Sequence, residues 1–232
     1  MLSGCSALGS AGADTFTLKG ELPADFALKA QAHYGAPEGC SGHGQIKTYN
    51  KGYDEKTHKY QFKIPVNYRN GLCEMRLDRV GLFIHAKYGE QNWQQTYDNG
   101  GLIVVEEIPP NSSNYQTDGT VSNTAQCSWL FQISKLELGV AKMLDCKGAG
   151  AYLLRSALPK ADITLDFQLE GDDRPYMKNY WKKTETGWKP CTGRWGTKFE
   201  ELCTVPPQFR TFNMDGRTCT VYPDCTERLT DE

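Results

Sequence analysis

The chain has 232 residues, 39% of them hydrophobic and 23% charged, and a formal net charge of −2. That balance belongs to a folded protein with a polar surface rather than a disordered one, and the length suits one large domain or two small ones. The near-neutral charge argues against nucleic-acid binding, which needs a basic face, and no run of about 18 apolar residues encodes a membrane-spanning helix.

Leu2-Ser3-Gly4-Cys5 sets an apolar residue and two small ones before a cysteine, the pattern of a bacterial lipobox, in which the cysteine is acylated. Cys5 is therefore the expected lipidation site. A secretory signal needs an apolar core of about 7–15 residues ahead of the cleavage site. Only Met1 and Leu2 stand there, so the expectation is a chain trimmed at the box. The small residues from Ser6 to Ala13 read as a flexible tether. Residues 1–13 are thus expected to be anchor and tether, and residues 14–232 a folded body.

Beyond the tether the hydrophobic period is two. Phe26, Leu28, Ala30, Ala32 and Tyr34 alternate with more polar neighbours, as do Tyr60, Phe62, Ile64, Val66 and Tyr68, and again Ile163, Leu165, Phe167 and Leu169. Such alternation marks half-buried antiparallel strands. Pro65 has no backbone donor, which places its strand at an edge or a bulge. Met75 and Leu77 have the opposite parity to Val80, Leu82, Ile84 and Ala86, so a bulge is expected near Arg79. A similar phase shift separates Trp129, Phe131 and Ile133 from Leu136, Leu138 and Val140.

The continuous apolar run Leu102-Ile103-Val104-Val105 suits a strand covered on both faces. Pro109-Pro110-Asn111-Ser112-Ser113-Asn114 breaks the chain and is the candidate boundary, near residues 109–121, if the body divides into two lobes. Helix is scarce: Ser134–Leu144 has helical spacing, and Lys198–Leu202 is long enough for a single turn. Asp215-Gly216 signals a hairpin turn between Phe212 and the pair Cys219 and Cys225. The fold class expected is mainly β, an antiparallel sandwich or two stacked β lobes with little helix.

The remaining cysteines, Cys40, Cys73, Cys127, Cys146, Cys191, Cys203, Cys219 and Cys225, are even in number and lack the close pairs of a zinc site. They read as a disulfide framework in an oxidising compartment. Eight cysteines allow 105 connectivities. The expected one is sequential: Cys40–Cys73, Cys127–Cys146, Cys191–Cys203 and Cys219–Cys225.

No catalytic signature emerges. A nucleophile elbow, a zinc-protease motif and a phosphate-binding loop are all missing from the sequence, and His33, His43, His58 and His85 are dispersed. Gly42-His43-Gly44 reads as a loop histidine, and Asp172-Asp173 lies in a turn composition. No cofactor and no metal ligand set is expected. What stands out is aromatic residues among polar ones in loop-like stretches. Arg174, Tyr176, Met177, Tyr180, Trp181 and Trp188 form the densest group, which runs on to Trp195, and Trp93 belongs to a second. These residue types supply rigid contact area with a polar handle, so they are the partner-binding candidates.

With Ser6 following Cys5, the lipobox resembles that of an outer-membrane-sorted lipoprotein of a Gram-negative bacterium. The cysteine-bridged body, with Phe62-Lys63-Ile64-Pro65-Val66-Asn67-Tyr68 and Cys73-Glu74-Met75-Arg76-Leu77, resembles immunity lipoproteins against type VI secretion lipases. That resemblance implies a non-enzymatic periplasmic protein, anchored through lipidated Cys5 to the inner leaflet of the outer membrane. It implies a secreted phospholipase effector as partner, capped in a 1:1 complex by steric occlusion of its active site. The alternatives are an envelope lipoprotein that binds peptidoglycan, glycan or an outer-membrane partner, a structural lipoprotein of a secretion system or pilus, and an enzyme built around His43 or His58.

Overall fold

A computed structural model describes residues 14–36, 39–40, 44–110, 112, 120–134, 139–159, 161–191, 203, 206–214 and 216–225. Strands make up 66% of it and helix 3%, with sheets curled into half-barrel and sandwich-like packing, so the expected mainly β class holds. In chain order the strands are β1 (Thr15–Leu22), β2 (Phe26–Gly35), β3 (Gln45–Lys51), β4 (His58–Pro65), β5 (Asn67–Asn70), β6 (Cys73–Lys87), β7 (Gln95–Val105) and β8 (Val121–Ser134). They continue as β9 (Gly139–Lys147), β10 (Gly150–Leu154), β11 (Asp162–Leu169), β12 (Arg174–Pro175), β13 (Trp181–Thr184), β14 (Gly187–Pro190), β15 (Phe212–Met214) and β16 (Arg217–Cys219).

The chain forms two compact units. Unit 1 is drawn from Met1–Ala86, Tyr97–Cys127 and Cys146–Leu169. One of its sheets has the order β8-β11-β1-β4, and the other β10-β7-β6-β2-β3 with β5 added to β6. The alternating residues turn inward as their period requires. Phe16, Leu18, Tyr60, Ile64, Leu165 and Phe167 are buried from the first sheet, and Leu28, Tyr34, Met75, Leu77, Leu82 and Ile84 from the second. The parity flip in β6 is the expected bulge: His33 pairs with Arg79 but Tyr34 pairs with Leu77, which leaves Asp78 as the extra residue.

The run from Tyr60 to Tyr68 keeps one parity but makes two strands. β4 pairs with β1 and lies at the edge of its sheet, as Pro65 requires, whereas β5 pairs with β6 in the other sheet. Val66 is the corner, donating its N–H to the Asp14 carbonyl at 2.8 Å and accepting from the Leu77 N–H at 2.9 Å. Strands switch sheets at such corners, and the buried face persists because both sheets share one core. β5 and β6 then meet in a two-residue turn in which Gly71 takes φ +63°, a conformation that favours glycine.

Unit 2 is drawn from Lys87–Thr96, Ser128–Asp145 and Glu170–Glu232. Its core is aromatic. Tyr222 stacks on Phe131 at 4.0 Å between ring centroids, Trp181 meets the same ring edge-on at 4.9 Å, and Phe212 packs against Trp181 at 5.8 Å. β13 and β14 form one hairpin, and β15 and β16 form the expected C-terminal one, turning at Gly216 and followed by the Cys219–Cys225 bridge. All four disulfides follow the sequential pairing. They consume the eight cysteines that follow Cys5.

Three expectations are corrected. The sheets are mixed rather than antiparallel, since β1–β11, β11–β8 and β7–β10 are parallel pairs. Alternation records which face is buried and says nothing of a neighbour's direction. Of the expected Ser134–Leu144 helix, Ser134 ends β8 and residues 139–144 belong to β9, which pairs with β8. The run at 102–105 is covered on one face only, because Leu102 and Val104 are buried while Ile103 is exposed. The two units are built from interleaved segments of the chain. The tether, Cys5, His43, Trp195 and Lys198–Leu202 lie outside the described residues.

Candidate functional site

The site begins with the turn at Gly171-Asp172-Asp173. Immediately after it, β12 zips onto β8, Arg174 opposite Leu130 and Pro175 opposite Phe131, and the Tyr176 N–H donates to the Phe131 carbonyl at 2.9 Å. Pro175 is buried, so the turn is fixed at its base while Arg174 and Tyr176 are left exposed. The β13–β14 hairpin forms a second wall with Lys183, Gly187 and Trp188. Tyr222 and Pro223 form a third, tied to the second by reciprocal backbone hydrogen bonds of 2.7 and 2.8 Å between Trp188 and Tyr222. Gly187 has φ +137°, and a Cβ placed there would lie 2.2 Å from the Tyr222 carbonyl oxygen. Only glycine lets the two walls approach this closely.

These elements enclose a groove of about 920 Å³, wholly within unit 2. Part of its charge is answered internally. The Tyr222 hydroxyl donates to the Asp173 carboxylate, and the Lys142 ammonium pairs with the same oxygen at 2.9 Å. Lys142 also sits 5.9 Å from the Trp129 ring and 6.0 Å from that of Tyr88, within range of cation–π attraction. Arg174 donates to the Ser128 hydroxyl at 2.8 Å and stands 3.9 Å from Asp145. Lys178 and Lys183 are exposed on the lining, and the Lys183 ammonium lies 5.8 Å from the Trp188 ring centroid. The groups presented are an indole, two ammonium groups and a guanidinium, which together can grip a ligand by stacking and ion pairing.

Of the sequence candidates, Arg174 and Trp188 line this groove. Tyr176 is exposed and Met177 half-buried nearby in the chain, and Tyr180 packs against the aromatic core. Trp181 is withdrawn from the surface: it is 6% exposed and packed on Phe131. Trp93 is exposed on the Lys87–Thr96 segment, edge-on to Tyr88 at 6.4 Å, and does not line the groove. Sequence reading missed Lys178, Lys183, Asp145, Tyr222 and Pro223. Their lysines resemble any solvated face, and nothing local marks the others as neighbours of residue 174.

The described histidines all belong to unit 1. His58 ties a loop, with Nδ1 2.9 Å from the Lys56 carbonyl and Nε2 3.2 Å from that of Gly52. His33 and His85 have pKa values below the usual imidazole range, each chiefly from burial and then from a neighbouring cation, Arg79 and Lys29 respectively. Among the described residues, no group of three His, Cys, Asp or Glu side chains is placed to hold a metal ion.

Fold and groove together define a disulfide-stapled, mainly β protein with a charged, aromatic-walled surface groove. No protein-family model, curated protein or solved structure matches the chain.

Proposed function

We propose that the chain is a lipid-anchored periplasmic protein that binds a type VI secretion phospholipase effector and inhibits it by covering its active site. The observation that carries the reading is the framing of residues 171–188. Buried Pro175 and Trp181 hold this stretch to the unit 2 core, while Arg174, Tyr176, Lys178, Lys183 and part of Trp188 face outward. A contact surface held rigid before binding loses little conformational freedom on association, which favours tight complexes. The even set of bridged cysteines suits an oxidising compartment.

Cys5 would supply the membrane attachment and the unit 2 surface the grip. Mixing the purified protein with the phospholipase is expected to abolish hydrolysis of phospholipid vesicles and to give a 1:1 complex by size exclusion. Undiminished hydrolysis in the presence of excess protein would overturn the reading. Retention on purified sacculi together with undiminished hydrolysis would establish the envelope-binding alternative instead.

A further inference from the structure

We infer that the unit 2 groove takes an acidic segment of its protein partner, a carboxylate flanked by an aromatic or aliphatic side chain, with Lys178 and Lys183 as pairing cations and Trp188 as platform. The inference rests on the binding reading above and gives that surface its chemistry.

Most acidic groups of the groove already have partners. Asp173 holds both the Tyr222 hydroxyl and the Lys142 ammonium, and Asp145 stands within 3.9 Å of Arg174. The acidic side chains of the walls are thus engaged, apart from exposed Asp172 at the turn. Lys178 and Lys183 face solvent on the lining, while the Arg174 guanidinium is shared between Ser128 and Asp145. A basic segment would meet like charge on entry, whereas an acidic one meets complementary potential, which speeds association and fixes register.

Trp188 decides what accompanies the carboxylate. One side of its ring packs towards Phe131, at 6.3 Å between centroids, and the residue also lines the groove. The Lys183 ammonium already stands over that ring at 5.8 Å. A carboxylate can pair with that ammonium in place. An adjacent apolar side chain would then cover the rest of the indole and shield the ion pair from water, which strengthens it. The groove volume of about 920 Å³ is enough for a few side chains rather than a whole domain element.

The test uses the full chain and the phospholipase. Wild type is compared with a Lys178→Glu/Lys183→Glu variant and with a Lys56→Glu/Lys59→Glu control, which makes the same charge change at exposed positions of unit 1. The groove variant is expected to bind roughly 100-fold more weakly and the control like wild type. A water-soluble carbodiimide then couples lysine amines to carboxylates. One amide bond forms between lysine Nζ and the partner's carboxyl carbon, and the carbodiimide takes up the water as its urea. Peptide mapping of the cross-linked wild-type complex is expected to find Lys178 or Lys183 joined to an aspartate or glutamate of the phospholipase. Wild-type affinity in the groove variant, or cross-links confined to other lysines, would overturn the inference while leaving the inhibitor reading intact. If wild type neither binds nor inhibits the phospholipase, both fall together.

Discussion

Unit 1 spends most of its chain in long strands: β2 has 10 residues and β6 has 15, and each sets a row of side chains into a shared core. The strands lying wholly in unit 2 have two to four residues. Short strands make few ladder hydrogen bonds and bury little apolar area, so on their own they are marginal in water. Unit 2 compensates with large rings gathered around Phe131 and with two bridges, Cys191–Cys203 and Cys219–Cys225. The unit that carries the groove is thus held by a few large contacts, and the other by many small ones.

The largest expected effect follows from that contrast. Phe131→Ala removes the ring that Tyr222, Trp181 and Trp188 all touch, and is expected to cost about 3–5 kcal/mol. Hydrogen exchange should show amides of β13 to β16 losing protection while those of β2 and β6 keep theirs. Leu82→Ala should produce the reverse, a loss centred on unit 1. If both variants lower protection evenly along the chain, the two units open as one and the contrast fails.

The disulfides sharpen it further. On loop closure alone, Cys40–Cys73, spanning 33 residues, should contribute about 4 kcal/mol and Cys219–Cys225, spanning 6, about 2 kcal/mol. Binding should follow the opposite order, because the short loop holds Tyr222 and Pro223, which wall the groove. A Cys219→Ser/Cys225→Ser variant should therefore lose more affinity for the phospholipase than Cys40→Ser/Cys73→Ser, despite the smaller fall in denaturation midpoint. Equal losses of affinity would show that the groove does not depend on its own staple.

How much of this was legible in the sequence also divides by unit. In unit 1 the parity of Met75 and Leu77 against Val80 and Leu82 placed a bulge near Arg79, one residue from the extra Asp78, since each side chain reports its own face. The same parity could not reveal that the chain changes sheets at Val66, because both sheets bury into one core. β9 misled because Val140 and Leu144 are four residues apart, a spacing common to a helix turn and to alternate strand positions, and both are buried. In unit 2 the aromatic stretch could be seen, but its split into core and surface could not. Trp181 and Trp188 face each other's strand neighbours across one hairpin, yet Trp181 goes into the core while Trp188 borders the groove. The groove itself joins residues 130, 145, 171–188 and 222–223, which only topology brings together.

The smallest effect probes unit 1 through a single buried phenol. The Tyr60 hydroxyl donates to the Leu165 carbonyl at 2.7 Å, and burial, reinforced by the Asp166 carboxylate, pushes its pKa well above the ordinary value of 10.0. The folded state therefore keeps this proton more tightly than the unfolded chain does. Tyr60's contribution is fully present below about pH 10 and is lost as pH rises beyond it towards the folded pKa, because the unfolded phenol ionises first. Tyr60→Phe leaves the Leu165 carbonyl without this donor and should cost about 1 kcal/mol at neutral pH. It should also flatten the fall of stability above pH 10 by up to one proton's worth of slope. Denaturant unfolding from pH 7 to 11 reads both quantities. A variant curve parallel to wild type throughout that range would mean that Tyr60 ionises as readily in the folded chain as in the unfolded one, and that the unit 1 core is open to hydroxide at this point.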